Sequence, residues 1–281
     1  MTGAPAIQAF FDEPTNTVSY LVSDPVTRRA AVIDPVLDYD HRTGKASVKS
    51  ADAILEAAAA ANLSIEWVLE THAHADHLSG APYVKLKTGA KVGIGEHIRE
   101  VQKIFRPVFN ATDVSGDGSE FDHLFKDGDR FRLGSLEIEV LHVPGHTPAD
   151  IAYKVGDAVF VGDTLFMPDY GTARADFPGG NAATLYRSIR RLLLLPPETR
   201  LVMCHDYQAP GRDHYAWETT VGEQRIPIFR SFLPTEKPGM PFSMRNAVMP
   251  FARLPGSTVA KTVSTSAWSP WEHHCFDPFR T

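Results

Sequence analysis

The chain has 281 residues, of which 43% are hydrophobic, and its formal net charge is −6. This composition predicts a globular soluble protein built mainly from one large domain, and it provides no basic stripe for a nucleic-acid partner. We expect no signal peptide, because the N-terminus lacks a basic region followed by an uninterrupted apolar core. We expect no membrane span, because no run of about 18 apolar residues occurs. The sequence has two cysteines, too few for a disulfide framework, so we expect a cytoplasmic protein.

The first part of the chain predicts strands, then a helix, then another strand. "AIQAFF", "TVSYLVSD" and "RAAVIDP" are short runs rich in β-branched and aromatic residues, separated by turn residues. The polar segment "DYDHRTGKASVKS" shows no periodicity and is predicted to be a long loop. After it, Ser50 is predicted to cap a helix over "ADAILEAAAAANLS", and "IEWVLE" is predicted to be the next strand.

The second part of the chain also interleaves strands and helices. "LEIEVLHV" alternates apolar and charged residues with the period of a half-buried strand. "DAVFVGD" and "TRLVMCHD" are predicted to be buried strands, and "NAATLYRSIRRLLLLPP" between them a helix that ends at its prolines. We therefore predict an α/β domain over residues 1–230 and, because residues 231–281 are rich in proline without periodicity, a tail of low order.

Four apolar runs are each followed by side chains that can bind metal. These side chains are His72, His74, Asp76 and His77 after "IEWVLE", His146 after "IEVLHVPG", Asp163 after "AVFVG" and His205 after "RLVMC". If the strands deliver their carboxyl ends to one rim, the seven side chains can meet in one cleft. Imidazole and carboxylate together form a ligand set for zinc, iron or manganese.

The spacing within "HAHADH" is compatible with one metal or with two. His72 and His74, two apart on extended backbone, would point the same way and face a common metal. Asp76 and His77 lie past the bend and can face a second position. Taken one at a time, the three later side chains have structural explanations: His146 as a turn histidine, Asp163 as a helix or turn cap, and His205 as a rim histidine. Only the joint pattern favours metal ligands.

"THAHADH", "PGHTPAD", "GDTLF" and "CHDY" together resemble the metallo-β-lactamase superfamily, over roughly residues 7–225. This resemblance implies a four-layer αβ/βα sandwich with metal at one rim. "GDTLFMPDYGTARADF", "FFDEPTNTVSYLV" and the loop "DYDHRTGKASVKSADAI" further resemble bacterial persulfide dioxygenases, which oxidise glutathione persulfide with O2 to sulfite and glutathione.

The dioxygenase resemblance implies one Fe(II) per chain, held by His72, His146 and Asp163 as a two-His, one-carboxylate triad with three open positions. The remaining members of the pattern would then shape the water and proton environment as catalytic residues: His74, Asp76, His77 and His205. The alternative is a glyoxalase II-like hydroxyacylglutathione (thioester) hydrolase, in which two Zn, Fe or Mn ions also use those four side chains.

Glutathione carboxylates require positively charged or hydrogen-bonding partners. The candidates are Arg174, Tyr207 and Arg230, by their matching positions in the family. A structural salt bridge to Asp176 is the alternative for Arg174, and simple packing is the alternative for Tyr207. The resemblance ends after "GEQR", through divergence or a shifted reading frame. The sequence does not determine the oligomeric state, and it is compatible with a homodimer.

Overall fold

The computed structural model describes residues 3–232, with side chains described as far as residue 226. In the first half, the strands are β1 (Ala6–Asp12), β2 (Thr17–Ser23), β3 (Arg29–Ile33), β4 (Val36–Asp40), β5 (Lys45–Ser47), β6 (Ser64–Leu69), β7 (Leu78–Ser79), β8 (Lys91–Gly95) and β9 (His123–Phe125). The helices there are α1 (Lys49–Ala60), α2 (Ala81–Thr88) and α3 (Ile98–Val108).

In the second half, the strands are β10 (Arg130–Leu133), β11 (Leu136–His142), β12 (Ile151–Val155), β13 (Ala158–Phe160), β14 (Arg200–Val202) and β15 (Glu218–Thr220). The helices are α4 (Ala182–Leu192) and α5 (Val221–Phe232), and a short 3-10 turn spans Gly162–Thr164. The apolar runs that predicted strands and helices therefore form them, which confirms the α/β fold class.

Two six-stranded sheets face each other across the main core. The first has the order β1-β2-β3-β6-β8-β9 and the second β10-β11-β12-β13-β14-β15, while β5, β4 and β7 form a small separate sheet. Tyr20 and Leu69 from the first sheet pack with Ile138, Tyr153 and Phe160 from the second. Because both inner faces are apolar, the sandwich buries them against each other.

Helices cover the outer face of each sheet. Ile54 of α1 and Val84 of α2 pack with Val32 and Val68 of the first sheet. On the other side, Leu185 and Ile189 of α4 pack with Val159 and Leu201 of the second sheet. The order helix, sheet, sheet, helix is the predicted four-layer αβ/βα sandwich.

The segment predicted to be a loop, "DYDHRTGKASVKS", instead contains a hairpin. β4 and β5 pair antiparallel from Asp38↔Ser47 to Asp40↔Lys45. The turn between them is closed locally, since the Asp40 carboxylate accepts hydrogen bonds from Arg42 N and Thr43 Oγ1. A hairpin held by its turn and backbone needs no apolar alternation, which explains why periodicity missed it.

Ser50 does not cap α1 as predicted. The helix begins at Lys49, and the Asp38 carboxylate accepts hydrogen bonds from Ser50 N at 3.0 Å and Ser50 Oγ at 2.8 Å. An acceptor from the neighbouring strand β4 thus satisfies the first turn in place of a local cap.

The predicted tail lies outside the described residues, except for its first two residues, which complete α5. Within residues 3–232, no helix is long and apolar enough to cross a membrane.

Candidate metal centre

Strand ends bring the predicted site residues to one rim of the sandwich. The neighbours β3 and β6 run parallel, and so do β13 and β14, so the carboxyl ends within each pair lie at the same edge. β6 leads into the "HAHADH" segment, β13 into Asp163 and β14 into His205. His146 arrives from the loop between β11 and β12.

His72, His146 and Asp163 form the first cluster. Their candidate ligand atoms all lie within 4.8 Å of one another, and all three residues are buried. Asp163 Oδ2 is 3.9 Å from His72 Nε2 and 3.5 Å from His146 Nε2. The structure thus brings together the three side chains that the dioxygenase resemblance implied as iron ligands.

Hydrogen bonds at Nδ1 orient both imidazoles of this cluster. The backbone carbonyl of Arg174 accepts from His146 Nδ1–H at 2.8 Å. Thr71 Oγ1 donates its one proton to Asp34 Oδ2, so it accepts from His72 Nδ1–H at 3.0 Å. In both rings the Nε2 lone pair is left facing Asp163, the arrangement that a metal ligand requires. Burial, with a contribution from the neighbouring histidines, lowers the pKa of His72 well below its ordinary value, which keeps this ring neutral.

The turn that carries Asp163 approaches the "THAHADH" segment closely because residue 162 is glycine. Gly162 has φ +53°, and a Cβ there would lie 2.8 Å from Thr71 Oγ1. A side chain at this position would therefore displace the threonine that holds His72.

A second cluster adjoins the first and shares Asp163 with it. The candidate ligand atoms of His74, Asp76 and His77 lie within 4.8 Å of one another. His205 Nε2 is 3.4 Å from Asp76 Oδ2 and also 3.4 Å from Asp163 Oδ1. Asp163 therefore directs one carboxylate oxygen to each cluster. Burial lowers the pKa of His77 to about 3, and its Nδ1–H donates to the carbonyl of Leu78.

His74 differs from the other histidines because its Nε2 faces two buried carboxylates. It lies 3.2 Å from Asp34 Oδ1 and 3.4 Å from Glu70 Oε2. Burial alone would lower the pKa of His74, but Asp34 and Glu70 outweigh it and raise the pKa well above its ordinary value. The extended backbone assumed for His72 and His74 is not present, because β6 ends at Leu69 and a bend follows. His74 consequently groups with Asp76 and His77 rather than with His72.

Several buried polar atoms at this rim have no hydrogen-bond partner among the described residues. They include Asp163 Oδ1, His77 Nε2 and His205 Nε2. Each such atom costs roughly 1–3 kcal/mol if it stays unsatisfied. A bound cation can satisfy several of them together, so the donor set fits a metal centre, and its mixture of nitrogen and oxygen suits iron, manganese or zinc.

The substrate candidates fall in different places. Tyr207 lies at the rim, with its ring 5.5 Å from that of His205 and its surface 36% exposed. Arg174 makes the bidentate salt bridge to Asp176, at 2.5 and 2.8 Å, and its guanidinium lies 4.6 Å from the Phe177 ring centre. The side chain of Arg230 lies outside the described residues.

Sequence reasoning missed Asp34, Glu70 and Thr71, whose side chains contact His72 or His74 and orient them. Asp34 follows the strand "RAAVI" just as Asp163 follows "AVFVG", so the same pattern of an acid after an apolar run could have identified it. Glu70 and Thr71 directly precede His72, but nothing in their residue types separates a supporting role from an ordinary strand end.

A model of the metallo-beta-lactamase superfamily matches residues 12–205. A beta-lactamase hydrolase-like protein of Xylella fastidiosa is 52% identical over 79% of this chain and 51% of its own length, so the chain spans about half of that relative. A Dictyostelium discoideum protein named glyoxylase B2 is 44% identical, over 80% of this chain and 78% of its own. The mitochondrial persulfide dioxygenase ETHE1 of Mus musculus is 30% identical, over 80% and 75%.

The crystal structure of ETHE1 from Myxococcus xanthus is similar to this one in fold and in sequence. It superimposes with a TM-score of 0.62 at 32% identity, covering 79% of this chain and 82% of that one. The family model, these relatives and the four-layer fold agree with the motifs at the rim. The chain belongs to the metallo-beta-lactamase superfamily.

Proposed function

We propose that the protein is a non-haem iron persulfide dioxygenase that oxidises glutathione persulfide with O2. The observation that carries the proposal is the buried cluster of His72, His146 and Asp163, which offers two imidazole nitrogens and one carboxylate. This donor set is the facial triad of non-haem iron oxygenases, which leaves positions free for substrate and oxygen. The named activity of the mouse relative supports the same reaction.

The reaction consumes glutathione persulfide, O2 and water, and it yields glutathione, sulfite and two protons. Iron(II) bound by the three residues would supply the redox chemistry that activates oxygen toward the outer sulfur. The second cluster would manage water and protons: Asp76 and His205 lie together beside Asp163, where they can position the hydrolytic water and accept a proton from it. Tyr207, at the mouth, would contact the glutathione moiety.

The orientation of His74 supports a single iron. Its Nε2 is directed to Asp34 and Glu70, and the ring lies outside the first cluster. The first cluster would therefore supply three protein ligands, as a triad with open positions requires.

A dinuclear glutathione thioester hydrolase is the second candidate. It is favoured by the position of Asp163, whose two oxygens face separate clusters and could bridge two metal ions. The name of the Dictyostelium relative, glyoxylase B2, points the same way. In that enzyme Asp76, His77 and His205 would be ligands of the second ion rather than proton carriers.

Oxygen-electrode assays of the purified, iron-loaded chain separate the two candidates. With glutathione persulfide we expect O2 uptake matched by sulfite release, one iron per chain, and little hydrolysis of S-lactoylglutathione. The His146→Ala variant should lose the O2 uptake. Rapid thioester hydrolysis with two metal ions per chain and no O2 uptake would instead establish the hydrolase.

A further inference from the structure

One arginine links the two loops that flank the mouth of the metal centre. Arg212 donates from Nε to Asp169 Oδ2 at 2.8 Å. It also donates from Nη1 and Nη2 to the two oxygens of Asp206, at 2.6 and 2.5 Å. Asp206 has a side chain only 1% exposed and directly follows His205, whereas Asp169 lies on the loop that follows the Asp163 turn.

These two loops carry three aromatic side chains that pack together next to His205. We call Phe166, Tyr170 and Tyr207 the aromatic wall. Tyr207 lies 5.3 Å from Tyr170, 5.5 Å from Phe166 and 5.5 Å from His205, between ring centres. Tyr170 directly follows Asp169, and Tyr207 directly follows Asp206. The two carboxylates that Arg212 joins are therefore the chain neighbours of the two tyrosines.

We propose that Arg212 is a positioning residue that fixes the aromatic wall beside the metal centre and thereby sets substrate affinity. The planar guanidinium can donate from both Nη atoms to Asp206 and from Nε to Asp169 at the same time. A lysine ammonium cannot reproduce this arrangement. Asp206 has further donors in Ala216 N and Gln208 N, so its position is fixed by the backbone. Through its hydrogen bond to Asp169, Arg212 holds the Asp169–Tyr170 loop in place relative to Asp206.

This inference rests on the proposed function only in placing the reaction at the His72–His146–Asp163 cluster. Both candidate reactions release glutathione, so the aromatic wall would contact the same part of either substrate. The tyrosine rings and hydroxyls offer packing and hydrogen bonds, and both depend on the distance between Tyr170 and Tyr207.

The test compares Arg212→Met, Arg212→Lys and Asp169→Asn, with Arg200→Met as a matched control. Arg200 makes a similar bidentate pair with Glu218, at 2.7 and 2.8 Å, across β14 and β15. Asp169 is 43% exposed, so Asp169→Asn keeps the test open if Arg212→Met does not fold. The measurements are KM, kcat and metal content for whichever substrate the wild type turns over, and a crystal structure of each folded variant.

For Arg212→Met we expect KM to rise about tenfold, as when a charge-assisted contact is lost, with kcat and metal content nearly unchanged. Arg212→Lys should recover part of the loss, and Asp169→Asn should raise KM by about threefold, as for an exposed pair. Arg200→Met should leave KM unchanged. In the crystals of Arg212→Met and Asp169→Asn, Tyr170 should move away from Tyr207.

An unchanged KM together with an undisplaced Tyr170 in Asp169→Asn and Arg212→Met would overturn the inference. A fall in kcat and metal content without a change in KM would also overturn it, because Arg212 would then support the metal centre itself. If the wild type turns over neither substrate, the proposed function fails, and the position of Tyr170 in the variant crystals alone decides the role of Arg212.

Discussion

Three histidines at the rim are each held in one orientation by the atom that Nδ1 contacts. In His146 and His77, Nδ1–H donates to a backbone carbonyl. In His72, Nδ1–H donates to the Thr71 hydroxyl, whose own proton is donated to Asp34. In all three rings Nε2 is left as the atom that can bind a metal, so the folded chain orients these imidazoles before any metal binds. His74 and His205 differ from these three, since the Nε2 of each faces two carboxylates.

Replacement of single histidines should distinguish metal ligands from their neighbours. We expect His146→Ala to weaken iron binding by far more than about tenfold. Replacing a residue that only hydrogen-bonds to a metal ligand already costs about that much. His77→Ala should retain most of the iron. Metal analysis after dialysis measures both, and His142→Ala is the control, because His142 bonds to the Pro148 carbonyl outside both clusters. If His77→Ala loses the metal as His146→Ala does, a mononuclear centre is ruled out.

At the scale of elements, apolar patterning predicted what hydrophobic burial decides. β2, β6, β11, β13 and β14 all form where the sequence predicted strands, and the polar residues that come after four of them converge as expected. The features that the sequence did not predict depend on polar contacts between distant segments. Asp38 supports α1 across 12 residues, and Asp34 and Glu70 orient His74. No period in a sequence records such pairings, because they depend on how the strands are placed in three dimensions.

The packing of α4 against the loop before His146 depends on a glycine. Gly145 has φ +143°, and a Cβ there would lie 2.3 Å from the Leu185 backbone. Gly145→Ala should therefore push the loop from α4, displace His146 and lower both iron content and stability, the latter by at least about 2 kcal/mol.

Gly128→Ala is the matched control for Gly145→Ala. Gly128 has φ +80°, but nothing lies within 4 Å of the position of its Cβ. The control should cost about 1–2 kcal/mol from backbone strain alone and keep its iron. Metal analysis and urea unfolding measure both effects. Equal iron content in the two variants would show that the contact with α4 does not position His146.

At the scale of the whole molecule, the candidate metal centre is assembled from both halves of the sandwich. His72 follows a strand of the first sheet, whereas His146, Asp163 and His205 follow strands of the second. The distances between these residues consequently depend on how the two sheets are held together. The apolar core between the sheets supplies most of that attraction, but it is non-directional. Polar contacts that cross between the sheets supply the alignment.

Asp24 makes such a contact at the end of β2. Its carboxylate accepts hydrogen bonds from Thr27 Oγ1 in its own turn and from Ser135 N and Oγ in the β10–β11 turn of the other sheet. Burial alone would raise the pKa of Asp24, but these hydrogen bonds outweigh it and hold the pKa well below its ordinary value. The ionised carboxylate is therefore the form that joins the two sheets.

Asp24→Asn should destabilise the protein in a pH-dependent way. Because the folded pKa is depressed, the contribution of Asp24 is complete above its unfolded pKa of about 4 and is lost as the pH falls toward the folded pKa. We expect a cost of about 2–3 kcal/mol at pH 7, smaller by about 1 kcal/mol at pH 3. Asp40→Asn is the control, since Asp40 accepts from residues two and three positions ahead as Asp24 does, but makes no contact with the other sheet. Urea unfolding of both variants at the two pH values measures the effect, and a similar loss in both would show that the turn, not the link to Ser135, carries the stability.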